Sequence, residues 1–247
     1  PPPPALMPAK QRGFDIAAKS DRSDRGFKDS TVELKMVLRN ATGAETERKL
    51  TITTLEIPDE KLGDRSLVSF QSPLDIEGTA LLSHAKIVEP DDQWLFLPAL
   101  KRVKRISSSN KSGPFVGSEF AFEDITGQEL GKYDHTWVRE EACGDLTCDV
   151  IERRPLYKNS GYTRQLVWID QKDVQFRKVE YFDRRDTLLK TQVFEDYHLY
   201  STYWRAQVFR MENHFTGKST DLLFGSYKFG EGLSERDFVK GVLRRQR

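Results

Sequence analysis

Between Thr31 and Arg39, the apolar Val32, Leu34, Met36 and Leu38 alternate with the polar Thr31, Glu33, Lys35 and Arg39. A period of two belongs to a strand with one dry face. A turn at Thr42-Gly43-Ala44 follows, and a second strand over 45–57 completes a long hairpin. Stretches of similar character recur at 65–71, 79–88, 93–97, 102–107, 136–142, 147–153, 163–170, 174–183, 187–197, 204–213 and 220–229, with turn residues between them. The series predicts one large antiparallel sheet with little helix. Helical composition is confined to 8–25, where Phe14, Ala17 and Ala18 lie close on one face, and to the C-terminus. There Ser234 is a candidate N-cap, Leu233 is placed to staple against Phe238, and Phe238, Val239, Val242 and Leu243 form a helical stripe.

Two segments, 72–78 and 107–130, break the strand rhythm. Each carries Gly, Pro or Ser beside exposed-looking apolar residues such as Phe115, Val116 and Phe120, so each is either a lid over an opening or an ordinary long connection. The chain opens on four prolines, read as a polyproline II stretch within a tail over 1–12; 13–247 are expected to form a single domain.

Charge changes the picture by exclusion. Charged residues make up 31% of the 247, yet the net charge is +1, so there is no one-signed field for a nucleic acid to bind. The longest apolar run, from Trp94 to Leu100, is too short to cross a bilayer and is interrupted by Pro98, so no membrane span is expected. The aromatic content of 11% argues against disorder.

Candidate chemistry is sparse. Gly217-Lys218-Ser219-Thr220 looks like the end of a phosphate-binding loop, but Glu212 stands where that motif needs its first glycine, and strands flank it where a helix is required. His84, His135, His198 and His214 are scattered without metal-ligand or triad spacing. Glu140-Glu141 and Glu123-Asp124 are adjacent pairs that point to opposite faces of a strand, and Ser107-Ser108-Ser109 lacks the surroundings of a nucleophile elbow. No enzyme, cofactor or metal is expected. Cys143 and Cys148 suit the two ends of a hairpin loop, either as a disulfide or as two free thiols; a disulfide would favour an address outside the reducing cytosol.

One cluster invites binding. The apolar strand Trp94-Leu95-Phe96-Leu97 turns at Pro98 into a basic strand carrying Lys101, Arg102, Lys104 and Arg105. These cations are candidates for a headgroup or a docking partner, or else they guard a sheet edge against aggregation. The apolar interior is expected to hold Val32, Leu34, Met36 and Leu38 with Phe70, joined by Trp94 and Phe96 or by Leu95 and Leu97; Trp94 and Phe96 are the candidates carried forward.

The run from Asp92 to Ser107 resembles the signature of the outer-membrane lipoprotein-sorting proteins of the LolA/LolB-like superfamily. Matching pieces are Gly78-Thr79-Ala80-Leu81-Leu82, Gly117-Ser118-Glu119-Phe120, Ser160-Gly161-Tyr162-Thr163-Arg164, Gly217-Lys218-Ser219-Thr220 and Gly232-Leu233-Ser234-Glu235-Arg236-Asp237-Phe238. The resemblance implies an unclosed, strongly curved antiparallel β-barrel with helices over its open side. It also implies a periplasmic carrier of lipid or lipoprotein acyl chains, exported with its signal peptide removed and associated with RND- or MMPL-type exporters. An adaptor that docks on an exporter without binding lipid is the alternative.

Overall fold

The computed structural model describes residues 8–59 and 61–245, so the four opening prolines lie outside the described residues. Helix α1 (Ala9–Ser23) already occupies part of the expected tail. The strands are β1 (Asp29–Arg39), β2 (Glu45–Leu55), β3 (Leu62–Ser72), β4 (Ala80–Lys86), β5 (Asp92–Leu97), β6 (Arg102–Ile106), β7 (Tyr133–Cys143), β8 (Leu146–Pro155), β9 (Tyr162–Asp170), β10 (Phe176–Asp183), β11 (Leu188–Tyr200), β12 (Tyr203–Asn213), β13 (Ser219–Phe224) and β14 (Lys228–Phe229). They form one 14-stranded antiparallel sheet in the order β6-β5-β4-β3-β2-β1-β13-β12-β11-β10-β9-β8-β7, with β14 added to β1. The edge strands β6 and β7 are not paired with each other, so the sheet is open. Among the described residues no helix is long and apolar enough to cross a membrane.

The alternation that defines β1 sets the register of its neighbours. Leu34 lies opposite Leu50, which lies opposite Phe70, and Ile52 lies opposite Val68, which lies opposite Leu81. These residues share the inner face. The main core joins them to Met36, Leu95 and Ile106 and, from the other end of the sheet, to Ile151, Val167, Val179 and Met211. Both ends therefore curl around one interior. Helix α1 packs on β7, where a Cβ on Gly13 would stand 2.5 Å from the Trp137 backbone nitrogen; any other side chain would push the helix off the sheet.

Three expectations are corrected. Phe115 and Phe120 look exposed in the sequence, yet they are buried, and with Phe122 they plug the inner face from the long connection between β6 and β7. The stretch 220–229 is two strands: the chain breaks after Phe224, where a Cβ on Gly225 would meet the Glu33 carbonyl at 2.9 Å. The C-terminal segment is two 3-10 turns, Glu235–Phe238 and Lys240–Arg245, with Val239 extended between them and exposed. Phe238 and Leu243 are both fully buried in a second cluster on the outer face of β3–β5. Five residues apart, they would diverge by about 140° on one α-helix, so the break at Val239 is what lets both insert. Ser234 occupies the N-cap position of the first turn, where its backbone N–H donates to the Asp237 carboxylate at 2.8 Å, and Leu233 packs on the same cluster.

Cys143 and Cys148 form a disulfide across the β7–β8 hairpin. Its turn is Gly144-Asp145, with Cys143 opposite Leu146 and Cys148 opposite Glu141, so the bond crosses the ladder diagonally.

Candidate functional site

The inner faces of β2, β3 and β4 change chemistry along their length. On β2 the series runs Leu50, Ile52, Thr54 and on to Glu56; on β3 it runs Phe70, Val68, Ser66, Asp64; on β4 it runs Leu81, Ser83, Ala85. Because Ile52, Val68 and Leu81 are in register, as are Thr54, Ser66 and Ser83, the changes coincide. One end of the interior is apolar and packed. Toward the other end a hollow of about 500 Å³ opens between these strands, α1 and β10–β13. Such a volume lies within the range of about 300–1,000 Å³ usual for small-molecule sites.

The far wall is a row of aromatic rings. Phe176 meets Phe194 at 6.0 Å between centroids, Phe194 meets Phe209 at 4.8 Å, Phe209 meets Phe224 at 4.7 Å, and Phe224 stacks on Tyr227 at 6.0 Å. With Ile52, Val68, Ile125 and Leu222 they give the hollow a continuous apolar side.

The polar end gathers Asp21, Asp24, Arg25, Glu56, Asp64, Glu129 and Arg205. Arg25 pairs with Asp21 at 3.1 Å and with Glu129 at 3.5 Å, while Arg205 pairs with Asp24. The Glu56 carboxylate accepts the backbone N–H groups of Gly26 at 2.8 Å and Lys28 at 3.1 Å. Asp64 accepts the Ile57 N–H at 3.0 Å and has no cation within pairing distance among the described residues. Burial, reinforced by the neighbouring Glu129 carboxylate, pushes the Asp64 carboxyl up to about 7. Burial also raises the Glu129 carboxyl. His135, on the same wall, is lowered by burial.

The residues expected at the site divide. Leu34, Met36 and Phe70 sit in the packed core, with Leu38 partly buried against it, and Val32 is buried opposite Ile52. None of the five lines the hollow. Trp94 and Phe96 point the other way, into the outer cluster with Phe238 and Leu243; Leu95 and Leu97 face the main core instead. The cause is register: Trp94 lies opposite Leu82 and Phe96 opposite Ala80, both on the outer face.

The basic strand β6 is an edge, and Lys101, Arg102, Lys104 and Arg105 do not line the hollow. Arg105 pairs with Asp92. The residues that do build the hollow, Phe194, Phe209, Phe224, Asp64 and Glu129 among them, went unsingled in the sequence. One signal for them was legible: polar Ser66 and Asp64 continue the dry face of Phe70 and Val68.

A family model described as an uncharacterized protein family matches residues 63–245. A structure from Vibrio parahaemolyticus, a domain named for outer-membrane lipoprotein sorting, is 46% identical over 96% of this chain and 100% of its own, with a TM-score of 0.92. The chain belongs to the outer-membrane lipoprotein-sorting family. A DUF1329 family protein from Desulfovibrio piger is 27% identical over 96% of this chain and 100% of its own, with a TM-score of 0.90. The family fold is also that of a LolA superfamily protein from Nitrosomonas europaea, 22% identical over 96% of this chain and 99% of its own, with a TM-score of 0.74. No match was found among curated proteins.

Proposed function

We propose that the protein is a periplasmic carrier that holds the acyl chains of a lipid or lipoprotein in its hollow and passes them between membrane components, working with an RND- or MMPL-type exporter. The observation that carries this reading is the hollow of about 500 Å³ walled by the Phe176–Phe194–Phe209–Phe224 row, a continuous apolar surface lining open space inside the sheet. Burying an acyl chain there is favourable by about 0.8 kcal/mol per methylene. Family membership and the lipoprotein-sorting name of the Vibrio parahaemolyticus relative support the cargo class, and the Cys143–Cys148 disulfide supports an oxidising compartment. The exporter rests on the family resemblance alone.

Native mass spectrometry of protein purified from its own periplasm, followed by lipid extraction, tests the reading. A co-purifying acyl species that is lost on plugging the hollow with Ile52→Trp is the expected result; protein free of lipid that also fails to take up an added amphiphile would refute it. A second reading, a docking adaptor without lipid cargo, draws on the exposed cations Lys101, Arg102 and Lys104 at the β6 edge.

A further inference from the structure

The polar end of the hollow is the wrong sign for the anionic headgroup that lipid carriers with basic rims would hold. We infer that the hollow selects amphiphiles with a cationic headgroup, held among Glu56, Asp64 and Glu129, with the tail laid against the aromatic row. This deepens the carrier reading and rests on it.

The argument is one of charge left over. Asp21, Asp24, Glu56, Asp64 and Glu129 face the polar end, against Arg25 and Arg205. Both guanidinium groups are already engaged, Arg25 with Asp21 and Glu129, and Arg205 with Asp24. Arg153, deeper in the wall, is buried, donates to Gln165 at 2.6 Å and Gln128 at 3.1 Å, and lies over the Tyr133 ring. Arg153 has no carboxylate partner among the described ion pairs but lies deeper, so an anionic head at the polar end would meet only guanidinium groups already paired with carboxylates, and would face the Asp64 carboxylate. An ammonium head would do the reverse. It would supply the counter-charge that Asp64 lacks and relieve its repulsion with Glu129, in a cavity where screening by solvent is reduced.

The aromatic row adds to the fit by giving the tail an apolar surface. The geometry also orients the ligand. Thr54, Ser66 and Ser83 separate the carboxylates from Ile52, Val68 and the phenylalanine rings, so head and tail each have one place to go.

A pH signature follows from the same groups. Asp64 is faced by Glu129 from the connection before β7, by Arg25 after α1 and by Glu56 beyond β2. With its carboxyl at about 7, Asp64 goes from about one-tenth ionised at about pH 6 to about nine-tenths ionised at about pH 8. A bound cation needs the ionised form, so its affinity should rise about tenfold across that interval.

The test compares three probes sharing a dodecyl tail, each below its micellar concentration: dodecyltrimethylammonium, dodecanoate and the neutral dodecyl maltoside. Binding is followed by calorimetry on the full chain. The expected result is a preference of at least about tenfold for the ammonium over dodecanoate at pH 8, and a rise in ammonium affinity from pH 6 that the maltoside does not share. In the Asp64→Asn/Glu129→Gln variant the preference should vanish while maltoside binding persists. If that variant also loses the maltoside, the Asp64→Asn single variant is the arbiter, because asparagine keeps the oxygen that accepts from Ile57. Dodecanoate binding as tightly as the ammonium, or a flat pH profile for both, overturns the headgroup assignment and leaves the carrier reading standing. Failure of all three probes to bind overturns the carrier reading itself.

Discussion

The interior of this sheet is packed around Phe115 and hollow further along, although β2 and β3 run through both regions. At the solid end Leu34, Met36, Leu50 and Phe70 meet Phe115, which is completely buried and contacts the Phe70 ring at 5.8 Å. At the hollow end, further along β2 and β3, no side chain of the described residues fills the space lined by Val68 and Phe209. The difference lies in one connection. Residues 107–132 dip into the interior with Phe115, Phe120 and Phe122, and then withdraw so that Gly127, Gln128 and Glu129 form a wall of the hollow. Alternation decides which way a side chain faces; what stands opposite it is decided by a segment distant in sequence.

The sharpest way to break this contrast is to cut at the solid end. Phe115→Ala should cost about 3–5 kcal/mol, because a ring surrounded on all sides leaves a cavity that cannot collapse. Urea denaturation would read it as a lowered midpoint at unchanged slope. Phe209→Ala, in the wall of the existing hollow, should cost less than half as much, since one side of that ring has no packing partners to lose. Equal costs would mean that the hollow is filled in solution.

Next in size is the disulfide. It lies on the β7–β8 hairpin at the edge of the sheet, away from both ends of the interior, and closes a short loop. In the chain-entropy account Cys143→Ser with Cys148→Ser should cost about 2 kcal/mol. Probe binding should be unchanged. A loss of binding would mean that the edge and the hollow are mechanically linked.

A smaller effect concerns the polar end and its pH dependence. The folded-state carboxyl of Asp64 lies above its ordinary value of 3.8, at about 7. Between those values the folded chain holds a proton that the unfolded chain has released, so this group makes stability fall as pH rises from about 4 to about 7 and adds no further change beyond. Asp64→Asn should therefore stabilise the protein at pH 8 and have little effect at pH 4. Denaturation midpoints of the two proteins measured across that range check the sign, and a gain that appears only at low pH would contradict the burial of Asp64.

How far these two ends could be read from sequence differs for the same reason. The strand series and the hairpin of β1 and β2 were legible because each is written in local alternation, and the Cys143–Cys148 spacing suited its hairpin. The common face of Leu34, Met36 and Phe70 was legible too. The face of Trp94 and Phe96 was not: β5 is apolar on both sides, and only its register with Leu82 and Ala80 distinguishes them. The C-terminal stripe misled because Phe238 and Leu243 reach the same cluster from two short turns. The carboxylates of the hollow come from α1, the end of β2, β3 and the connection before β7, with no shared spacing to announce them. Their one local trace is that Ser66 and Asp64 occupy a face that Val68 and Phe70 mark as dry.

The smallest expected effect belongs to the basic edge. Arg102 lies opposite Leu97 and Lys104 opposite Leu95, so both are on the same side of the sheet as the main core. They are nevertheless exposed, because β6 is the edge strand of the sheet. Neither reaches the hollow. Replacing Arg102 and Lys104 together by Gln should change stability by no more than about 0.5 kcal/mol, as surface substitutions usually do. It should leave the affinities of all three dodecyl probes unaltered. What it should change is self-association. An edge strand presents unpaired backbone groups to any neighbouring chain, and like charges along it keep a second copy away. The double variant should therefore form dimers or larger species at concentrations where the wild type sediments as a monomer or at its own fixed size. High salt should bring the wild type toward the same behaviour, since screening over about 10 Å at 0.1 M shortens the reach of these charges. If probe binding weakens instead, selectively for dodecanoate and only at low salt, these cations act on the ligand, and the headgroup chemistry belongs to the edge and not to the carboxylates of the hollow.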